Sequence, residues 1–319
     1  MIYITGTKEF NIDRPAIVTL GKFDGRHRGH QKLLRMMMGL REKTGYVTAV
    51  FSFDQPPKAG NGDRQQTVIT TNLERKNKLE KIGIDILVEY PFNEETAHME
   101  PEEFVKKVLV HQMNAKIIVV GTDCSFGYQG AGNAESLKQW QERYGYQTVV
   151  ICKEQDDNRD ISSTYIREEL ALGNMEKANE LLGEPYAVHG TVVHGNHIGG
   201  TLLGFPTINV LPPKEKYLPR FGVYVSRVYI CGRYYGGITN IGKKPTVEGN
   251  YPAGVETYLY GLNKDLYGEA AEVQILHFVR PERKFETLQE LKAQIKRDQE
   301  YGLEYLREKD DFCLKGLSL

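Results

Sequence analysis

Four short groups of residues in this chain combine the side-chain types that phosphate chemistry needs. The first is Gly21-Lys-Phe-Asp-Gly-Arg-His-Arg-Gly-His30, which sets His27 and His30 beside Gly21, Phe23, Asp24 and Gly29. An apolar run, Ala16 to Leu20, precedes it, and Leu33, Leu34, Met37 and Leu40 follow at helical spacing. Strand, glycine turn and helix in that order aim the free N–H groups of a helix start at whatever sits on the turn, which favours an anion such as phosphate. The second group is Gly121-Thr-Asp-Cys-Ser-Phe-Gly127, directly after the apolar run KIIVV; here Asp123 is placed to hold a ribose hydroxyl or to order the loop. The third is Ile161-Ser-Ser-Thr-Tyr-Ile-Arg167. Ser162, Ser163 and Thr164 supply hydroxyl donors at a helix start, and the forked cation of Arg167 suits phosphate.

The fourth group lies far downstream. Gly195 opens a glycine-rich stretch that runs through Gly204-Phe-Pro206 to Thr207-Ile-Asn209. Thr207 and Asn209, two apart on a strand, point the same way and offer oxygen ligands to a phosphate-bound Mg²⁺. Glu256 is a carboxylate in the otherwise apolar run VETYLY. It either faces solvent or, turned inward beside Thr207, is a candidate general base for a substrate hydroxyl.

The first three groups need a scaffold that brings strand ends together, and the pattern of the chain supplies one. Strand-like runs at Ala16 to Leu20, Tyr46 to Phe53, Ile84 to Tyr90, Lys116 to Gly121 and Gln147 to Cys152 alternate with helical patterns. The helical patterns are the one after His30, then Asn72 to Ile82, Glu100 to Met113 and Asn133 to Tyr144; two more, Ser163 to Leu172 and Met175 to Leu182, follow the last strand. Such alternation predicts a parallel sheet covered by helices on both faces, with ligands bound beyond the carboxyl ends of the strands. Each of the three groups alone has an ordinary reading as a helix cap or a turn. Their joint placement at successive strand ends argues for a nucleotide site.

After Gly183-Glu-Pro185 the texture changes to short β-rich runs (Tyr186 to Val193, Gly222 to Ile230, Arg233 to Asn240, Val255 to Tyr260, Ala271 to Val279) separated by glycine and proline. That punctuation predicts a small antiparallel barrel. Leu288, Leu291, Ile295, Leu303 and Leu306 mark an amphipathic helix packed on it. Two domains are therefore expected, 1–183 and 184–319, within the 319 residues. The stretch from Gly237 to Lys244 misses a phosphate loop, since Lys244 stands where a hydroxyl is required and Pro245 follows. His189, His194 and His197 have no Asp or Cys partner at metal-ligand spacing, so a zinc site is rejected.

Lys plus Arg number 41 against 42 for Asp plus Glu, so no overall field selects nucleic acid or an anionic membrane. No apolar run reaches the ~20 residues of a membrane span, and MIYITGTKEF lacks a signal-peptide pattern. Four scattered cysteines fit reduced thiols. The composition thus points to a soluble cytoplasmic protein; small-molecule substrates and a monomer or weak homo-oligomer are expected.

GKFDGRHRGH resembles the G-x-F-D-G-x-H-x-G-H signature of the HxGH nucleotidyltransferases, in the form seen in bacterial FMN adenylyltransferases. GTDCSFG is similar to that family's G-x-D-F-x-F-G, and ISSTYIR to its I-S-S-T-x-I-R. The likeness implies a Rossmann-like fold that joins ATP and FMN into FAD with loss of pyrophosphate. It gives His27 and His30 the charge developing on the α-phosphate, and Ser163, Thr164 and Arg167 the leaving pyrophosphate. Two positions depart from the family pattern: Pro56 takes the place of a histidine in F-x-P-H-P, and Cys124 that of an aromatic residue.

LGFPTIN, TNIGKKPTV, VETYLY and Arg280-Pro-Glu-Arg-Lys-Phe285 resemble the corresponding segments of riboflavin kinases. This implies a six-stranded barrel that moves the ATP γ-phosphate to riboflavin, with Thr207 and Asn209 on Mg²⁺ and nucleotide and Glu256 deprotonating the ribityl 5′-hydroxyl. Gly195, Gly204, Pro206 and Arg280 fall in the same nucleotide- and flavin-binding segments. Ile198 and Thr201 stand where that family is often more basic. The two resemblances follow one another in the order of the bacterial bifunctional riboflavin kinase/FMN adenylyltransferase family.

Overall fold

β-Branched and aromatic runs set the strands of the first sheet, and helices between most of them return the chain to the same edge. A computed structural model describes residues 1–55, 67–193, 207–242, 253–262, 264–309 and 317–318. In chain order the first part holds β1 (Ile2–Thr5), β2 (Ala16–Leu20), α1 (Arg28–Thr44), β3 (Val47–Phe53), α2 (Asn72–Lys81), β4 (Ile86–Tyr90), α3 (Glu94–Ala97) and α4 (Pro101–Phe104). Then come β5 (Ala115–Gly121), the short pair β6 (Ser125–Phe126) and β7 (Gly132–Asn133), α5 (Ala134–Tyr144), β8 (Gln147–Ile151) and the hairpin β9 (Gln155–Asp156) and β10 (Arg159–Asp160).

Six of these strands form one sheet in the order β1-β4-β3-β2-β5-β8, all parallel. From β2 the chain builds outward through β3 and β4, and later returns to place β5 on the other side of β2. The order therefore reverses between β2 and β5, and that switch point is where open α/β sheets hold ligands. Alternate residues of β2 face opposite layers: Ala16 and Val18 pack with Phe104, Val105 and Val108, while Ile17 packs with Leu33, Leu34 and Met37 of α1. β1 was not expected from the sequence. The helix predicted over Glu100 to Met113 is α only in α4 and continues as a π-helix over Val105–Gln112; nothing in VKKVLVHQ accounts for the change.

The chain divides into two compact units, Met1–Ser163 and Thr164–Leu319. This contact division falls upstream of the 183/184 boundary expected from the sequence. The reason is that α6 (Ser163–Leu172) and α7 (Met175–Leu182) pack with the second unit: Asn179 donates to the Ile275 carbonyl at 2.9 Å and accepts from the Tyr186 N–H at 2.7 Å.

The second unit continues with β11 (Tyr186–Val193), β12 (Thr207–Val210), β13 (Gly222–Ile230), β14 (Arg233–Gly242), β15 (Gly254–Leu259), β16 (Ala270–Pro281), α8 (Leu288–Glu308) and β17 (Leu317–Ser318). Strands β13-β16-β11-β12-β15-β14 are neighbours in that order, all antiparallel, and a β13–β14 pairing closes the ring into a six-stranded barrel. Helix α8 lies on the outer face formed by Val223, Val225, Ile238 and Tyr260, with Leu306 inserted among them. Contact is close at Gly302, where an added Cβ would collide with Ile238 and lie 2.8 Å from the Tyr260 hydroxyl oxygen.

Candidate functional site

In the first unit the turn after β2 carries the histidines. His27 is the residue before α1 and makes no side-chain cap bond, so the first amides of the helix are left to another acceptor. The His27 and His30 rings stack with centroids 3.8 Å apart, and Phe23 lies 4.8 Å from His30. Gly29 permits this: a Cβ there would sit 3.2 Å from His27 Nδ1. Gly21 in turn runs under the Phe23 ring, 3.4 Å from where its own Cβ would be. Phe23 and Arg26 both hold positive φ, 49° and 41°, a strained conformation for residues with a side chain.

Bonds from three directions impose that conformation. The Asp24 carboxylate accepts from the Thr70 N–H at 3.0 Å, and Thr70 Oγ1 accepts from the Gly25 N–H at 3.2 Å. Ser163 Oγ donates to the Asp24 carbonyl at 2.7 Å. Arg75 donates to the Lys22 carbonyl at 3.1 Å and forms a buried ion pair with Glu89, which also accepts from the Tyr3 hydroxyl at 2.5 Å. Thr70, Arg75 and Glu89 were not recognised in the sequence, because these contacts join residues far apart in it.

Burial dominates the electrostatics. It holds the His27 pKa down to about 4, with Asp123 working against the shift and Lys153 adding to it. Burial also holds His30 well below the ordinary range, assisted by His27 and Arg26. Both rings are therefore neutral near pH 7, and their Nδ1 atoms are buried with no hydrogen-bond partner among the described residues. Such atoms carry a cost until a partner arrives.

Asp123 follows β5, on the other side of the switch point. Gly121 leaves room for its carboxylate, since a Cβ there would lie 2.8 Å from Asp123 Oδ1. Lys153 Nζ lies 3.4 Å from that carboxylate. Burial pushes the neighbouring Cys124 thiol up to about 12, so it stays protonated. Ser162 and Ser163 are half-buried at the end of this unit. Thr164 and Arg167 continue α6 in the second unit; Thr164 is exposed, and the Arg167 carbonyl accepts from the Tyr217 hydroxyl at 3.2 Å.

In the second unit the hydroxyl–carboxylate pair lies on the barrel. Register sets Asn209 opposite Glu256 and Thr207 opposite Tyr258 on β12 and β15, while Asn240 of β14 faces Glu256 from the other side. Thr207 Oγ1 donates to Glu256 Oε1 at 2.7 Å, and Asn209 is buried beside them. The opposite face of β15 fixes this orientation. Thr257 shares a buried hydroxyl chain with Thr239 (2.8 Å), which reaches Ser226 at 2.7 Å, so the adjacent Glu256 is turned to the other side of the strand.

Arg280, by contrast, is occupied: it donates to Asp298 of α8 at 3.0, 3.1 and 2.7 Å. His189 pairs with Glu272 at 3.3 Å. Gly195, Gly204, Pro206, Pro56, Ile198, Thr201, Lys244, Pro245, His194 and His197 lie outside the described residues. Among the described residues no group of three His, Cys, Asp or Glu side chains is placed to hold a metal, and no helix is long and apolar enough to cross a membrane.

Comparison with known proteins adds to this geometry. The family model described as FAD synthetase matches residues 9–165, and the one described as riboflavin kinase matches residues 182–306. A bifunctional riboflavin kinase/FMN adenylyltransferase of Bacillus subtilis is 35% identical over 91% of this chain and 92% of its own length. One of Listeria monocytogenes is 33% identical over 89% of this chain and 90% of its own. A crystal structure described as a macrolide-efflux protein from Streptococcus pneumoniae superposes with a TM-score of 0.84 and 34% identity, covering 94% of this chain and 97% of that one.

Proposed function

The chain belongs to the family of bifunctional riboflavin kinase/FMN adenylyltransferases, and on that premise we propose which of its groups carry each reaction. It phosphorylates riboflavin with ATP to give FMN, then joins FMN to a second ATP to give FAD and pyrophosphate. The efflux name stays with the pneumococcal protein, since both family models and the curated relatives agree on flavin chemistry.

Adenylyl transfer is assigned to the turn between β2 and α1. The observation that carries it is the stacked, neutral His27–His30 pair beside an uncapped helix start at the switch point of the sheet. The terminal phosphate of FMN is already ionised, so it attacks the α-phosphorus without a general base. As the new P–O bond forms and the bond to the β-phosphate breaks, charge grows on the α-phosphate oxygens, and the imidazole N–H groups and helix amides stabilise it. Each neutral imidazole has one N–H to give, and an arriving polyanion raises the proton affinity of both rings. The family likeness assigns Ser163, Thr164 and Arg167 to the departing pyrophosphate and Ser162 and Asp123 to the nucleotide side, while Gly21, Phe23, Asp24 and Gly29 shape the turn.

Riboflavin phosphorylation is assigned to the outer face of β12 and β15. The Thr207–Glu256 bond supports this, because it engages Oε1 and leaves Oε2 of Glu256 to take the proton of the ribityl 5′-hydroxyl. The hydroxyl oxygen then attacks the γ-phosphorus and ADP leaves. An all-oxygen set of Thr207, Asn209 and Glu256 suits a hard cation. Thr207 and Asn209 would hold Mg²⁺ with the nucleotide phosphates, where it neutralises charge. With Arg280 tied to Asp298, its part here is to hold α8 to β16 rather than to contact nucleotide directly.

The functional boundary is assigned to 183/184, which keeps the Ser-Ser-Thr helix with the adenylyltransferase. A cytoplasmic setting is supported by the free cysteines Cys124, Cys152 and Cys231. The assignment is tested by chromatography of products from riboflavin, ATP and Mg²⁺, repeated with FMN in place of riboflavin. FMN and FAD are both expected. Failure to make FAD from supplied FMN would overturn the adenylyl-transfer site.

A further inference from the structure

Three successive residues beyond β8 each join a different part of the first unit's centre. The Cys152 carbonyl accepts from Lys32 of α1 at 3.2 Å. The Glu154 carboxylate accepts from Arg28, at the first turn of α1, at 3.3 Å, and its carbonyl accepts from the Ile161 N–H at 3.0 Å. Between them Lys153 Nζ lies 3.4 Å from Asp123 Oδ2 and 3.0 Å from Asp160 Oδ2. Asp160 ends β10 and stands immediately before Ile161-Ser162-Ser163. Ser163 in turn is bonded to the Asp24 carbonyl, in the histidine turn.

One ammonium thus spans the loop that carries Asp123 and the segment that delivers Ser162 and Ser163. Gln155 shares the load by donating to Asp160 Oδ1 at 2.9 Å. The Lys153 side chain is 33% exposed, and those of Asp123 and Asp160 are 64% and 43% exposed. Ion pairs this wet add little to stability, so their consequence lies in geometry and charge. Without Lys153, two carboxylates would face a centre that must accept a triphosphate.

We propose that Lys153 is a positioning residue for adenylyl transfer: it sets the spacing between the Asp123 loop and the Ser162-Ser163 segment and offsets the two carboxylates that would repel the nucleotide. This rests on the assignment of adenylyl transfer to the first unit. Lys153 does not touch the reacting atoms; it acts through Asp123 and Asp160. Its cation also opposes protonation of His27, whereas Asp123 favours it.

The test uses the full chain with Lys153→Met, Lys153→Arg and His30→Ala. FAD formation from FMN is followed against ATP concentration; FMN formation from riboflavin by the same preparations reports on the second unit, and the dispersion of the His27 ring resonances on the folding of the first. Lys153→Met should lower kcat/KM for ATP by about ten- to a hundredfold, as misplacement of binding groups does, while Lys153→Arg stays within about fivefold of the parent. FMN formation should be unchanged in both. The His27 ring resonances should titrate at higher pH in Lys153→Met, where a neighbouring cation is lost, and at the parental position in Lys153→Arg. A Lys153→Met enzyme within about threefold of the parent, an Arg variant as impaired as the Met variant, or a parallel loss of FMN formation would each overturn the proposal. If His30→Ala leaves FAD formation intact, the assignment of the reaction to this unit fails and the proposal with it. If His30→Ala is impaired and Lys153→Met is not, the role of Lys153 alone is removed.

Discussion

Under the proposed assignment, the first unit meets a phosphate with two neutral imidazoles and the start of α1, whereas the second sets a hydroxyl against a carboxylate on the face of a barrel. The nature of the attacking group accounts for the contrast. An FMN phosphate enters already ionised, and a carboxylate beside it would only repel it. A ribityl hydroxyl enters protonated, and its oxygen needs somewhere to send the proton. The same cosubstrate is therefore handled by two different sets of side chains, and removing one set should leave the other at work.

The largest separation is expected from Glu256→Ala. Loss of a general base costs about 10²–10⁴-fold, so FMN formation should fall to the floor of the assay while FAD formation from supplied FMN continues. Equal loss of both activities would collapse the contrast into a single site. His30→Ala should do the converse, lowering FAD formation by about 10²-fold or more and sparing FMN formation. A loss of about tenfold or less would take His30 away from the α-phosphate.

A smaller effect separates the units by pH. His27 has its folded-state pKa depressed to about 4, below its value in an unfolded chain. The unfolded state thus binds the proton first. Stability from keeping the ring neutral is fully present above about pH 6.5 and declines as the pH falls toward 4. Between pH 7 and pH 5 this amounts to about 2 kcal/mol, readable as a lower urea midpoint followed through the first unit. A His27→Phe chain should lose the His27 part of the slope and keep the part due to His30, which burial also holds low; a slope unchanged from the parent would move the acid sensitivity elsewhere.

Smallest of all should be Gly302→Ala, which touches only the second unit. Helix propensity favours alanine by about 1 kcal/mol, but the new methyl meets Ile238 and Tyr260, and such overpacking costs about 1–3 kcal/mol. A net destabilisation of about 1 kcal/mol in thermal unfolding is expected, with FAD formation unaffected. A more stable variant would show that α8 can move away from the barrel without loss.

Local chemistry made much of this legible in the sequence. The histidine turn was readable because strand, glycines and helix follow one another within a few residues. Strands β3, β4, β5 and β8 were found within two residues of their ends because continuous apolar runs leave little choice. The alternation of β12 set Thr207 and Asn209 on one side, and Glu256 stood out as a charge in an apolar strand. What escaped was whatever depends on distant partners. Thr70 and Arg75 carried no signal of their own, yet they clamp a turn some fifty residues earlier in the chain. Arg280 was expected among the nucleotide- and flavin-binding residues, and nothing in the sequence signalled that Asp298 in the following helix engages it. Lys153 had no signal of its own, since its two carboxylate partners come from separate loops.

The ring closure of the barrel has a consequence for the order of events on the ribosome. Strand β16 pairs with both β11 and β13, so the first strand of the barrel waits for a neighbour that emerges some eighty residues later. The parallel sheet needs nothing beyond β8 to complete its set. Domains fold as units, amino-terminal first, and distant pairings are the slow ones. A nascent chain therefore completes the parallel sheet before the barrel, while α7, bonded to β16 through Asn179, waits for the last strand of the ring.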